Sequence, residues 1–431
     1  MVLDVPVRFH YSTLIIVEMK RHMLKVIPRE EHTLSRTNIA ENALKVLYRL
    51  NEGGFEAYLV GGGVRDLLLG IQPKDFDIAT SASPEEVKKL FRNCRLIGRR
   101  FRLAHVHFGR EIIEVATFRK GHTDEDHLSA HGMILRDNVY GTLDEDVVRR
   151  DFTVNALYYN IADHSVLDFY GGFGDLKKRT IRLIGEPVQR FREDPIRMLR
   201  GVRLAAKLNC TIAKETEQPI ASLANLLHNV PHARILDELM KTYRSGHALT
   251  AFELLMKHGL FKELFPEVEM VLQESNAKKM QAMLERTMQV ADERTADGRS
   301  LSPAFLFACL LWWPMQKLLK EYQAQGMKLF PALQSAMETT IHQQMQTIAI
   351  PKRFTAMMRD VWVLQYLLPR RRGKRVYRNY NHRYFRAAYD FIVLRGACGE
   401  NVNDLAEWWT KFQEVDKKQQ QKMIAAVDRR K

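Results

Sequence analysis

Two periods of apolar residues alternate through the first third of the chain. Between about Thr37 and Gly54, the segment ENALKVLYRLNEGG repeats apolar positions every three to four residues and stops at paired glycines, which predicts an amphipathic helix. A short apolar run, Ala57 to Val60, predicts a strand that enters Gly61-Gly62-Gly63. A short helix VRDLLLG follows and ends at Gly70, and a second strand, DFDIAT, is predicted from Asp75. In SPEEVKKLFRNC, Ser83 caps, Pro84 takes the first helical position and Glu86 completes a capping box. RLIG, RLAHVHFG and EIIEVATFR then read as strands, and the tight turn at Gly109-Arg110 makes the last two an antiparallel hairpin. This third of the chain reads as an α/β unit with a mixed sheet.

Lys120 to Leu135 has no usable period and reads as a polar loop over that sheet. After about Asp175 strands nearly vanish, helix follows helix, and no repeat of fixed period is present. The longest apolar run, Ala304 to Trp313, is too short for the roughly 18–20 residues that span a bilayer; it reads as a buried helix capped by Ser302 with Pro303 at its first position. The fold class is α+β: a small mixed-sheet head, then an all-helical remainder. The domains are read as a poorly ordered leader at 1–36, a head at 37–175, a helical neck at 176–265, a helical body at 266–345 and a basic region at 346–431. Residues 1–22 lack a basic n-region and a small-residue cleavage signal, which argues against a secretory peptide; Met19 and Met23 are alternative starts.

Charge sharpens this outline. The 431 residues carry 66 Lys+Arg against 51 Asp+Glu, a net +15 that points to a polyanionic partner, nucleic acid first and anionic membrane second. Residues 352–386 hold eleven Lys/Arg and one acid, interleaved with aromatics, and so account for ten of the fifteen excess charges. That mixture suits single-stranded RNA, with cations following phosphates and rings stacking bases. Arg370, Arg371, Arg372, Lys374 and Arg375 are the expected RNA contact, while Trp362 and Tyr366, four apart, read as helix core. The four cysteines lie far apart, without zinc spacing, which fits a reducing, cytoplasmic compartment.

Asp75 and Asp77 lie two apart on a predicted strand, so both carboxylates share a face, as a hard divalent cation requires. Alone, such a pair is more often two solvated acids. Here a glycine turn lies directly upstream, and its backbone N–H groups offer an anion site beside the metal site. Glu114 is a further carboxylate, either catalytic or a simple strand-face acid. In RRDFTVNALYY, Arg150 beside Asp151 reads either as a helix-start ion pair or as a clamp on a triphosphate. In EDPIRMLRGVRLAAKL, Asp194 is the expected N-cap, and Arg197, Arg200 and Arg203 form one stripe whose mutual repulsion an anion would relieve.

LVGGGVRDLLLG with KDFDIAT, then RRDFTVNALYY, then EDPIRMLRGVRLAAKL, resemble in order the motifs of the class II nucleotidyltransferases, the group of bacterial poly(A) polymerases and tRNA CCA-adding enzymes. FRNCRLIGRRFRLAHVHFG, IPKRFTAMMRDVW and FRAAYDF resemble the poly(A) branch. The resemblance covers about Lys45 to Trp409. It implies that Asp75 and Asp77 bind catalytic Mg2+ in a two-metal site, with Mn2+ as an alternative, and that Asp151 completes the acids. It also implies that Gly61, Gly62, Arg65 and Arg150 meet the triphosphate, that Asp194 and Arg197 read the base edge, and that Arg200 and Arg203 support the nucleotide. The implied reaction is template-independent addition of AMP from ATP to RNA 3′ ends, in the service of RNA decay and with RNA-decay factors as partners; CCA addition to tRNA is the alternative. Two departures are a loop after Arg119 that is short for the branch and residues 1–22, which have no counterpart.

Overall fold

The computed structural model describes residues 24–98, 102–120, 140–274 and 277–428. Two compact units form: the described residues up to Glu193 with Thr211–Thr216, and Asp194–Cys210 with the residues from Glu217 on. The first unit thus takes in the expected head together with 176–193 and 211–216 of the expected neck, and the second holds the rest of the neck with the expected body and basic region.

The head opens with strand β1 (Lys25–Ile27), which corrects the reading of 1–36 as a leader: Ile27 and Leu34 are fully buried. Residues 1–23 lie outside the described residues, as does most of the loop expected after Lys120. Helix α1 (Glu41–Glu52) buries Ala43, Val46, Leu47 and Leu50 on one face, and strand β2 (Ala57–Val60) runs into the glycine turn. Helix α2 (Gly62–Leu68), strand β3 (Asp77–Thr80) and helix α3 (Pro84–Leu90) follow. Ser83 and Glu86 form the expected reciprocal cap on α3. Strands β4 (Cys94–Ile97), β5 (Leu103–Phe108) and β6 (Glu111–Thr117) include the hairpin turning at Gly109, whose φ of 63° glycine adopts without strain.

After helix α4 (Leu143–Val148) come strands β7 (Leu157–Asn160) and β8 (Val166–Asp168), helix α5 (Gly172–Lys177), strand β9 (Thr180–Ile181) and helix α6 (Pro187–Glu193). One eight-stranded sheet of order β1-β8-β7-β2-β3-β6-β5-β4 results, parallel only between β3 and β6. Its two faces are closed differently. Helices α1 and α3 pack under one face, against Ile113 and Val115 of β6 and Ala104 and Val106 of β5. Over β2, β7 and β8 the other face is sealed by Val60, Phe118, Val147, Tyr158 and Phe169; farther out it exposes Ile112 and Ile97.

The helical unit starts with helix α7 (Ile196–Leu208). Strand β10 (Thr211–Ile212) returns to pair with β9 in the head, and helices α8 (Lys214–Glu217), α9 (Ile220–Leu223) and α10 (His232–Tyr243) follow. The remaining described residues are helices and turns. Ala304–Trp312 is buried as expected, and no described helix is long and apolar enough to cross a membrane. Trp362 is a core residue, fully buried and donating to the Ala308 carbonyl. Tyr366 is half-buried against Gln316.

Candidate active site of the head

Asp77 is the first residue of β3, opposite Val60 of β2 and level with Glu114 of β6. Asp75 lies two residues ahead of the strand, not on it, so shared strand facing is not what unites the pair. The start of α2 does this: a side chain at Gly63 would lie 3.5 Å from the Asp75 carbonyl oxygen, so helix and acid loop are packed together. Asp75, Asp77, Glu114, His105, Arg110 and Lys74 all line one cavity of about 630 Å³. The Asp77 carboxyl is pushed up to about 6 by the protein crowded around it, then by Glu114 and Asp75, against a smaller opposing pull from Arg150. Acids set so close favour a cation between them.

Among the described residues no three His, Cys, Asp or Glu side chains enclose a metal by themselves. The donors fit a magnesium-like ion, which keeps several waters and takes one or two carboxylates plus substrate phosphates. Glu114, open in the sequence between a catalytic acid and a strand-face acid, lines the cavity with Asp75 and Asp77. Counting back from the two-residue turn, 108 faces 111 and 105 faces 114, so the sequence already carried the signal that sets His105 opposite Glu114. The structure has that pairing, with His105 Nε2 3.5 Å from Glu114 Oε1.

Gly61 holds φ 67° and ψ −133°, a conformation closed to other residues, and a side chain there would meet Arg150 Nη1 at 3.6 Å. Arg150 is anchored. Its guanidinium lies 4.7 Å over the Tyr158 ring, Nε donates to the Tyr158 hydroxyl and Nη2 donates to Asp146 Oδ2 at 3.0 Å. Burial opposes its charge, but Tyr158 and Asp146 outweigh burial and hold its pKa above the ordinary arginine value. Asp146 lies outside the quoted motifs, while Tyr158 lies within RRDFTVNALYY. Arg65 is buried as well, 5 % exposed, and bonded to Asp66 and Asn155. Its Nη2 sits 3.4 Å from where a Gly62 side chain would begin, so Arg65 underpins the turn.

Asp151 is held by its neighbours in sequence. It does not line the cavity: Oδ1 accepts the Phe152 backbone N–H at 2.8 Å and Asn155 Nδ2 at 3.1 Å, which fixes the 3-10 turn Thr153–Asn155. Through Asn155 it is linked to Arg65. Its position here is that of an organiser of the arginine side of the turn.

In the helical unit, Asp194 is not the N-cap of α7. Pro195 holds that position without a side-chain bond, and Asp194 Oδ2 accepts from Arg234 Nη2 of α10 at 2.9 Å. Arg197 is 7 % exposed. Arg200 and Arg203 both turn to Glu238 of α10, Arg200 at 3.8 Å and Arg203 in a direct hydrogen bond, and Glu238 is buried. An acid from α10, not only an external anion, thus relieves the repulsion along the stripe. The arginines expected to meet RNA are similarly engaged: Arg370 lies 5.1 Å over the Phe330 ring, Arg371 5.5 Å over Trp408, and Arg372 Nη2 donates to the Val427 carbonyl. Exposed Lys374 and Arg375 complete that segment.

A glycine turn between two strands, flanked by anchored arginine and by acids on the next strand, defines a nucleotidyltransferase head. Residues 57–182 match the model described as "Poly A polymerase head domain", residues 209–272 "Probable RNA and SrmB- binding site of polymerase A", and residues 325–431 "Polymerase A arginine-rich C-terminus". Poly(A) polymerase I of Salmonella typhimurium is 47% identical over 417 residues, 95% of this chain and 90% of that protein. Poly(A) polymerase I of Haemophilus influenzae is 43% identical over 421 residues, 96% of this chain and 93% of that protein. A CCA-adding enzyme of Lactobacillus gasseri is 40% identical, but over 53% of this chain and 57% of its own. Among solved structures, the Bacillus stearothermophilus CCA-adding enzyme in complex with CTP has a TM-score of 0.57 at 27% identity, covering 86% of this chain and 82% of that one. The chain belongs to the bacterial poly(A) polymerase family, nucleotidyltransferases that add AMP to RNA.

Proposed function

We propose that the chain extends RNA 3′ ends with AMP from ATP, without a template, at the cavity of Asp75 and Asp77. The crowding of Asp77 by Glu114 and Asp75, one strand away from the Gly61 turn, is the observation that carries this reading. The 3′-hydroxyl gives up its proton to solvent as its oxygen bonds to the α-phosphorus, the bond from that phosphorus to the oxygen bridging to the β-phosphate breaks, and pyrophosphate leaves. Asp75 and Asp77 would hold Mg2+, or Mn2+ in its place, and the bound ion would supply Lewis acidity toward the hydroxyl and the leaving pyrophosphate. Backbone N–H groups at Gly61 and Gly62 and the Arg150 guanidinium take triphosphate oxygens, while Arg65 and Asp151 hold that turn in shape. Asp194 and Arg197 take the base edge, with Arg200 and Arg203 in support, as the family pattern implies. The segment Arg370 to Arg375 grips the RNA. We assign the activity to the cytoplasm and to marking transcripts for decay, with RNA-decay factors as partners.

The test is to incubate an unstructured oligo(A) with ATP alone and resolve products by length. A ladder far beyond three additions is expected. A product confined to tRNA ends and dependent on CTP overturns the reading in favour of CCA addition.

A further inference from the structure

The sheet register sets one line of side chains across six strands. Tyr158 of β7 faces Val60 of β2, Val60 faces Asp77, Asp77 is level with Glu114, Glu114 faces His105, and His105 faces Arg95 of β4. Directly opposed residues project from the same face. The line therefore has arginine at both ends, Arg150 stacked on Tyr158 at one and Arg95 at the other, with the acids between them. On the Tyr158 side it is closed by the head core. From Asp77 outward it opens, and Arg95, Ile112 and Ile97 are exposed there.

In-line displacement places attacking and leaving oxygens on opposite sides of the α-phosphorus. With the triphosphate at Gly61 and Arg150, pyrophosphate leaves toward β2, so the attacking hydroxyl arrives from the β6 side. We infer that the open strip Glu114–His105–Arg95 is the subsite for the 3′ end of the RNA primer: Arg95 takes a backbone phosphate, exposed Ile112 and Ile97 support ribose and base, and His105 fixes the Glu114 carboxylate beside the terminal ribose. His105 is a positioning residue, since it acts through Glu114; its ring is 18% exposed and its Nε2 already faces the Glu114 oxygen. The inference rests on the proposed triphosphate site and goes beyond it by assigning the second substrate a place, a polarity and a set of contacts on the head.

Steady-state extension of oligo(A) by ATP tests this. Arg95→Ala is expected to raise the KM for the primer about tenfold, the worth of one charged hydrogen bond, with the KM for ATP unchanged. It should also lower the slope of log affinity for the primer against log salt by about 0.7, one single-strand phosphate contact. His105→Ala is expected to lower kcat at saturating ATP and primer, and His105→Gln to restore part of it by returning a donor to Glu114. An unchanged primer KM in Arg95→Ala, an ATP KM that moves with it, or equal loss in both His105 variants overturns the subsite while wild-type extension stands. A wild-type protein that extends no RNA with ATP overturns the functional reading and the subsite together.

Discussion

The head and α7 treat charge in opposite ways. On the sheet, Asp75, Asp77 and Glu114 crowd one another, and Asp77 holds its proton well above the usual carboxylate range. On α7, the charged groups are matched from within: Arg200 and Arg203 converge on buried Glu238, and Asp194 is met by Arg234. The first arrangement stays short of positive charge until substrate and cation arrive. The second has its charges met by protein groups beforehand. Repelling acids suit a centre that attracts a cation, while paired groups hold their positions without one.

Breaking the crowded side has the largest effect. Asp77→Asn or Asp75→Ala is expected to lower AMP addition by about a thousandfold or more, the scale of losing a principal electrostatic group, measured by 3′ extension of labelled oligo(A). RNA binding by the same variants should stay near wild type; retained turnover in the double variant would sink the assignment. Breaking the matched side costs less. Glu238→Gln leaves two partly exposed arginines without their acid and is expected to destabilise by about 1–3 kcal/mol in denaturant unfolding. It should also relax discrimination between ATP and CTP, read as the ratio of kcat/KM values.

The smallest effect is one of pH. Asp77 titrates near 6 in the folded protein against 3.8 in an unfolded chain, so the folded protein holds the extra proton between those values. Stability of the metal-free protein therefore falls as pH rises through this window. Asp77→Asn removes the penalty: its melting temperature should exceed that of wild type at about pH 8, and the gap should close below about pH 4, where wild type is protonated in both states. Affinity for Mg2+ should decline in wild type below about pH 6, as protons compete for the same oxygens.

How far sequence alone reached depended on distance along the chain. The Ser83–Glu86 cap, the glycine turn, strand β2 and the hairpin at Gly109 are settled within a few residues, and each is as the pattern predicts. Asp75 was misplaced onto a strand because alternation cannot show where a ladder begins; pairing with Val60 starts at Asp77. The engagements of Arg65 by Asn155, of Asp194 by Arg234 and of Arg203 by Glu238 span 90, 40 and 35 residues, and no local period reports them. β1 was absorbed into a leader because three residues carry too little pattern, and only its pairing with β8 gives it meaning.

The strand order has a consequence for synthesis. β2 lies between β3 and β7, the near partner some twenty residues away and the far one about a hundred, while β1 waits for β8. A growing chain can close α1, α3 and the hairpin early, yet the ribosome must deliver the residues through Asn160 before the strand bearing the glycine turn gains its second neighbour. Until then β2 offers an unpaired edge. Production at low temperature or slow induction should therefore raise the yield of soluble head, because such long-range pairing is intrinsically slow to form and prone to aggregation.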